Sequence, residues 1–180
     1  MHYDPLIRQE LKAELGPEAR KQIRLQQILD HYTSRPSFES REHFLCETKY
    51  GKEVLVWIEK RGESPTRHFG LQLYDLTKNG GHAFDLILDG RLLGEEAAFL
   101  DRIDSVYISE GFGTVAMDLF LSYCREHGVK WVGGLLTTSD LASHEDRLVS
   151  FYGKYGFQIT IDRFEKKGRI KLDLEPVSPK

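Results

Sequence analysis

The sequence is poor in cysteine, and it lacks long apolar runs and an excess of basic residues. Two cysteines, Cys46 and Cys124, are too few for a disulfide framework and predict a reducing, cytoplasmic compartment. No segment approaches the roughly 18 consecutive apolar residues of a membrane span, and the first residues lack a signal-peptide pattern. A formal net charge of −3 without a basic cluster gives no electrostatic case for nucleic acid. We therefore expect a soluble protein that binds neither nucleic acid nor a membrane.

Metal ligands are also too scattered for a site. His43 with Cys46, and Cys124 with His127, offer partial ligand spacings, but neither pair supplies a tetrahedral set. We therefore predict that no metal takes part in the function.

The length of 180 residues and an apolar content of 40% suit one globular domain over residues 1–180. Periodic apolar residues predict a pair of helices over 1–36, divided at Gly16-Pro17. The remaining segment, 53–174, is predicted to form the sheet core. Balanced charges on the helical pair favour a solvated face, although a cover over an active-site mouth or a contact in a homodimer stays open.

Short apolar and alternating runs predict an antiparallel meander of strands. The predicted strands lie at 53–58, 69–76 and 82–88, with a hairpin turn at 77–81. Asp89-Gly90 predicts a further turn into a longer segment that ends at Ile108.

The chain after residue 128 predicts three more strands. Residues 129–136 form a buried strand in which Gly133-Gly134 mark a bulge or, alternatively, allow two strands to splay apart. Residues 158–164 and 169–174 alternate in polarity and predict a two-stranded hairpin.

The segment Ile108–Thr114 joins an apolar run to an amphipathic helix predicted over Thr114–His127. A strand, a turn with Gly111 and Gly113, and then a helix point several unpaired N–H groups and the positive end of the helix dipole at one place. This arrangement predicts a phosphate or pyrophosphate site. Taken alone, Gly-x-Gly is equally a sign of tight packing, and it lacks the third glycine of a dinucleotide fingerprint.

A second helix is predicted from Ser143 to Tyr155. Ser143 and Asp146 suit a capping box, and Gly156 suits the stop. The apolar stripe of this helix includes Phe151 and Tyr152.

Two motifs together resemble those of the GNAT superfamily, the acyl-CoA-dependent N-acetyltransferases. Gly111-Phe112-Gly113-Thr114 resembles the end of the family's pyrophosphate loop, and residues 151–157 (Phe-Tyr-Gly-Lys-Tyr-Gly-Phe) resemble its later tyrosine motif. The resemblance covers about residues 98–161 and implies an α+β fold, an α/β sandwich. Its mixed, mostly antiparallel central sheet would be flanked by helices, here with an N-terminal helical hairpin.

The sequence departs from the family's pattern in two places. Ile108, Ser109 and Glu110 stand where the family has Arg or Gln, often Gly, and often a basic residue. The two helices that usually separate the family's first two strands have no room between Ile58 and Phe69.

The resemblance also implies a reaction, namely direct attack of a primary amine, in a small molecule or a protein, on acetyl-CoA. It assigns Tyr152 as the donor of a proton to the leaving thiolate, although a core tyrosine is the competing interpretation. The base is not identifiable, with Asp85, Glu96 and Asp104 as candidates. The implied acetyl-CoA-binding residues are Val106, Tyr107, Ile108, Glu110, Gly111, Phe112, Gly113 and Thr114. The alternative is a catalytically inactive GNAT-like module that binds acyl-CoA or another protein.

Overall fold

The computed structural model describes residues 16–33, 40–62, 66–78 and 84–174. The elements in chain order are α1 (Pro17–Thr33), β1 (Ser40–Glu47), β2 (Glu53–Arg61), β3 (Thr66–Asp75), β4 (Leu86–Leu93), β5 (Ala97–Ser105), α2 (Phe112–Glu126), β6 (Trp131–Leu136), α3 (Thr138–Lys154), β7 (Gln158–Asp162) and β8 (Lys167–Asp173). The predicted first helix of the N-terminal pair, the tip of the 77–81 turn and the chain end after Pro176 lie outside the described residues.

The strands form one eight-stranded sheet in the order β1-β2-β3-β4-β5-β6-β8-β7. Strands β1 to β5 make an antiparallel meander, and β7 and β8 make the predicted hairpin. Only β5 and β6 pair in parallel within this sheet, and α2 supplies the crossover that a parallel pair requires. The predicted mixed, mostly antiparallel sheet is confirmed, and β1 is a strand that the sequence patterns did not predict.

Helices cover both faces of the early strands, which explains the continuous apolar run in β2. Val54, Val56 and Ile58 join the core beneath α2 and α3, whereas Leu55 and Trp57 pack against Ile28 of α1 on the opposite face. Full burial of one such aliphatic side chain contributes about 1.5–3 kcal/mol. Helix α1 is therefore part of the folded body.

Cys124 is a buried thiol on the apolar side of α2. Burial raises its pKa to about 12. No described helix has the length and apolar character needed to cross a membrane. Within the same residues, no group of three metal-ligating side chains is arranged around a common point.

The predicted turn at Asp89-Gly90 is wrong. Both residues lie inside β4, at a shift in its register against β5, and the chain turns after Leu93 instead. Glycine is needed at 90 for space, because a Cβ there would lie 2.5 Å from the ring of Phe120. The following strand ends at Ser105, before the predicted limit of Ile108.

The predicted start of the last helix is also wrong. Helix α3 begins at Thr138, and the capping box consists of Thr137 and Asp140, not Ser143 and Asp146. The Thr137 N–H donates to the Asp140 carboxylate at 2.8 Å. His144 has non-helical angles (φ −146°, ψ 17°), so the helix kinks there and its apolar periodicity restarts beyond the kink.

Gly133 and Gly134 do not form the predicted bulge. Both pair in regular register with β5 on one side and β8 on the other. A Cβ at Gly134 would lie 2.9 Å from Ile170 Cδ1 and 3.1 Å from the carbonyl oxygen of Leu100. The glycine therefore permits close packing of three strands.

We expect Gly90→Ala to lower the free energy of unfolding by about 1–3 kcal/mol, because the added methyl group overlaps the buried Phe120 ring. Gly153→Ala is the matched control, since its Cβ would meet nothing within 4 Å and the residue lies in α3. That variant should gain about 0.5–1 kcal/mol. Urea denaturation measures both, and equal stabilities would contradict the packing role of Gly90.

Candidate functional site

The turn between β5 and α2 presents unpaired backbone N–H groups. Gly111 precedes α2 in a left-handed conformation (φ 86°) and caps it without a side-chain hydrogen bond. The N–H groups of Thr114 and Val115 already donate to the Gly111 carbonyl at 3.1 and 3.2 Å. Those of Gly111, Phe112 and Gly113 have no acceptor in the described part of the chain. Three donors and the positive end of the α2 dipole therefore meet at one point.

This turn opens into a cleft with a volume of about 340 Å³. The cleft brings together most of the predicted binding residues, namely Tyr107, Ile108, Glu110, Gly111, Phe112, Gly113 and Thr114. Phe112 contributes only backbone, since its side chain is buried. Val106 does not line the cleft, and its N–H donates to the Asp85 carbonyl at 2.9 Å.

Strands β5 and β6 separate next to the cleft. Their pairing runs from Ala97 with Trp131 to Leu100 with Gly134. Strand β5 continues to Ser105 and β6 to Leu136 with no further pairing between them in the described chain. The last residues of β5 therefore have an open edge on the side of β6. Two of these residues, Ile103 and Ser105, line the cleft.

Glu110, the acidic residue of the turn, is neutralised by two lysines. Its carboxylate lies 2.8 Å from Lys52 Nζ and 3.2 Å from Lys78 Nζ. The hydrogen bond from Lys52 is the main reason why the pKa of Glu110 is held below its usual range. Lys78 Nζ also lies 2.7 Å from the ring centroid of Tyr107. Glu110 thus adds no uncompensated negative charge to the cleft.

A buried set of charges lies behind these lysines. Asp85, only 5% exposed, pairs with Arg24 of α1 at 3.0 Å, and the Arg24 guanidinium also donates to the Lys78 carbonyl at 2.6 Å. Asp75 is fully buried, 3.5 Å from both Lys52 and Lys78. Because Asp85 is held in this ion pair, it is not an exposed carboxylate at the cleft.

Tyr152 lies in the core and does not line the cleft. Its side chain is 4% exposed and packs edge-on against Phe157, with ring centroids 5.4 Å apart. Burial, followed by the nearby charges of Asp140 and Asp104, raises its pKa, so the phenol stays protonated at neutral pH. Since Asp104 is near the end of β5 and Asp140 is in the first turn of α3, Tyr152 lies close to the separated ends of β5 and β6.

The two remaining candidate bases lie at opposite ends of β5. Glu96 precedes this strand and pairs with Lys130. Asp104 is the exposed carboxylate whose charge acts on Tyr152.

Sequence reasoning missed several polar residues of the cleft, among them Lys49, Tyr50, Arg147 and Lys154. Arg147 and Lys154 are two helical turns apart, and that spacing was a readable signal. Lys49 and Tyr50 come from the β1–β2 turn, and no local pattern connects them with the loop. The Tyr155 hydroxyl donates to the Thr114 carbonyl at 3.2 Å and thereby joins α3 to α2.

Comparisons with known proteins identify the fold. No protein-family model matches the sequence. Over 63 residues the chain is 35% identical to the uncharacterized protein YocC of Bacillus subtilis (strain 168), a match that covers 35% of this chain and 38% of that protein. The matched region is thus under half of either chain.

Solved structures are similar over more of the chain. The GNAT domain of S. lividans PAT has a TM-score of 0.54 at 9% identity, over 73% of this chain and 97% of that domain. The NatC complex bound to Gag peptide and CoA has a TM-score of 0.50 at 8% identity, over 59% and 71%. The chain has a GNAT fold, and the predicted fold class is confirmed.

We expect Glu110→Gln to be less stable than the wild type by about 0.2–1 kcal/mol at pH 7, because the pairs with Lys52 and Lys78 lose their charge. The folded-state pKa of Glu110 is depressed, so its contribution is present above the ordinary value of 4.5 and is lost as the pH falls through the folded-state pKa. Urea denaturation from pH 7 to pH 3 should therefore show the two proteins converging. Glu165→Gln, in the β7–β8 turn, is the control, and a stability difference for Glu110→Gln that does not change with pH would contradict the assignment.

Proposed function

We propose that this chain, with its GNAT fold, is an N-acetyltransferase that moves the acetyl group of acetyl-CoA to a primary amine of a small molecule or a protein. The observation that carries the proposal is the set of unpaired N–H groups at Gly111, Phe112 and Gly113, which opens into the cleft beside the separated strands β5 and β6. A pyrophosphate requires such a cluster of donors at a helix N-terminus. The extended thioester arm of CoA requires a free strand edge next to it.

The residues of the turn fit a diphosphate closely. A Cβ at Gly111 would lie 3.1 Å from Thr48 Cβ, and one at Gly113 would lie 3.3 Å from Phe151 Cε2. Neither position therefore has free space for a side chain beside the unpaired N–H groups. Compensation of Glu110 by Lys52 and Lys78 removes the repulsion that this carboxylate would otherwise cause.

In the proposed reaction acetyl-CoA supplies an activated thioester. The free N–H groups of the turn hold the diphosphate, and the open edge of β5 holds the arm. An N–H of Tyr107 or Ile108 donates to the thioester carbonyl oxygen as negative charge develops there. The amine nitrogen bonds to the acetyl carbon, the carbon–sulfur bond breaks, and Tyr152 gives its proton to the sulfur. The amine's surplus proton leaves to water, with Asp104 as the neighbouring carboxylate, and a proton from water then restores the Tyr152 hydroxyl.

Acetyl-CoA should raise the melting temperature of the wild-type protein, because a ligand at 100 times its dissociation constant adds about 2.7 kcal/mol. Gly113→Glu should abolish the shift, because its side chain would crowd Phe151 in the cleft wall and place a carboxylate beside the unpaired N–H groups. Thermal melting of this variant without ligand reports whether it is folded. Gly153→Glu is the control, since open space surrounds that position. No shift for the wild type at millimolar acetyl-CoA would contradict the proposal.

Tyr152→Phe should lower kcat by about 10²-fold or more because it removes the proton donor, and it should leave the dissociation constant of acetyl-CoA unchanged. Tyr123→Phe is a matched control, since this tyrosine is equally buried but packs on Phe69, away from the cleft. Release of CoA across a panel of amines and peptides provides the rate. Unchanged turnover in Tyr152→Phe would remove Tyr152 from the reaction, and acetyl-CoA binding without turnover on any amine would favour the inactive binding module.

A further inference from the structure

Three cations without a carboxylate partner converge on the cleft. Lys49, Arg147 and Lys154 all line it, and none forms an ion pair with a carboxylate in the described part of the chain. The neighbouring Lys52 and Lys78 instead form ion pairs with Glu110 and Asp75. In a protein of formal net charge −3, this cleft therefore carries a local positive excess that suits an anion.

The β1–β2 turn, which provides Lys49, is built against the anion-binding loop. Thr48 is buried, and its hydroxyl oxygen accepts the N–H groups of Tyr50 and Lys52, each at 3.3 Å. A Cβ on Gly111 would meet Thr48 Cβ at 3.1 Å and Tyr50 Cδ2 at 3.4 Å. The turn and the loop are thus in van der Waals contact.

A salt bridge fixes the turn in this place. Lys52 Nζ lies 2.8 Å from the Glu110 carboxylate, and Lys52 does not itself line the cleft. Lys52 therefore acts on the turn rather than on a ligand. As a result, Lys49 and Tyr50 line the cleft together with the residues of the unpaired N–H groups.

Tyr50 offers an exposed aromatic surface at this rim. Its side chain is 57% exposed, and Lys49 Nζ lies 4.7 Å from its ring centroid. An aromatic ring next to a cation suits a nucleotide, because the base stacks on the ring while the phosphate pairs with the charge.

We propose that Lys49 and Tyr50 bind the nucleotide end of acetyl-CoA, with Tyr50 stacked on the adenine and Lys49 paired with the 3′-phosphate. The inference rests on the proposed function, since the diphosphate at Gly111–Gly113 divides the ligand into two ends. One end runs along the open edge of β5, and the other leaves between the β1–β2 turn and the rim of α3 with Arg147 and Lys154. Lys52 and Glu110 are positioning residues for this contact.

Calorimetric titration with acetyl-CoA and with its analogue lacking the 3′-phosphate tests the assignment. The wild type should bind acetyl-CoA about tenfold more tightly than the analogue, through a charge-assisted contact to the extra phosphate. Lys49→Met should lose most of this preference. Lys130→Met removes the same charge before β6, outside the cleft, and should retain the preference.

Two further variants separate stacking from positioning. Tyr50→Ala should weaken both ligands equally, by about tenfold, because both contain the adenine. Lys52→Met should reduce the preference for the 3′-phosphate although Lys52 is outside the cleft wall. Thermal melting of each variant without ligand reports whether it is folded.

Equal affinities of the wild type for the two ligands would overturn this inference and leave the proposed function standing. A preference that survives in Lys49→Met, or unchanged binding in Tyr50→Ala, would likewise overturn it. Binding of neither ligand by the wild type would overturn the proposed function, and this inference with it.

Discussion

The buried ion pair between Arg24 and Asp85 helps to fix the position of the β5–α2 loop, which contains Glu110 and Gly111. The Asp85 carboxylate receives the Arg24 guanidinium of α1 and the N–H of Asp75 in β3, while the Asp85 carbonyl receives the N–H of Val106. One residue thereby connects a helix, a strand and the start of the loop. Breaking a buried ion pair by removing one of its partners typically costs 3–5 kcal/mol. Helix α1 is thus connected, through Asp85, to the loop that lines the cleft.

Charge around the cleft comes from parts of the chain that are distant in sequence. Glu110 stands in the loop where the resemblance to GNAT proteins implies a basic residue, and the structure surrounds it with Lys52 and Lys78. These lysines lie in the β1–β2 and β3–β4 connections. The loop therefore depends on two turns that precede it, whereas its own side chains contribute little positive charge.

Local patterns predicted the elements whose signal is contained in a single segment. The apolar spacing of α2, the alternation of β7 and β8, and the glycine turn before α2 are of this kind. Gly90 and Gly134 were misread because their reason is the space taken by Phe120 and by Ile170, which are distant in sequence. The sequence alone does not distinguish a glycine that is needed for close packing from a glycine that is needed for a turn.

The same limit applies to the candidate site. The loop residues were predicted because a strand, a turn and a helix are adjacent in sequence, but Lys49 and Tyr50 come to the cleft only through the pairing of β1 with β2. Strand β1 itself was missed, since His43 and Glu42 interrupt its apolar alternation. Helix α3 was misplaced because the kink at His144 divides its periodicity.

The left-handed glycine before α2 has an energetic consequence for the empty protein. A serine, threonine or aspartate in that place would satisfy one of the first N–H groups of the helix with its own oxygen, a contact worth about 0.5–2 kcal/mol. Gly111 makes no such contact, so the first turn of α2 is left incomplete. In the proposed complex a diphosphate oxygen takes the role of the missing cap. Binding of the ligand and ordering of the first turn of α2 are then thermodynamically coupled.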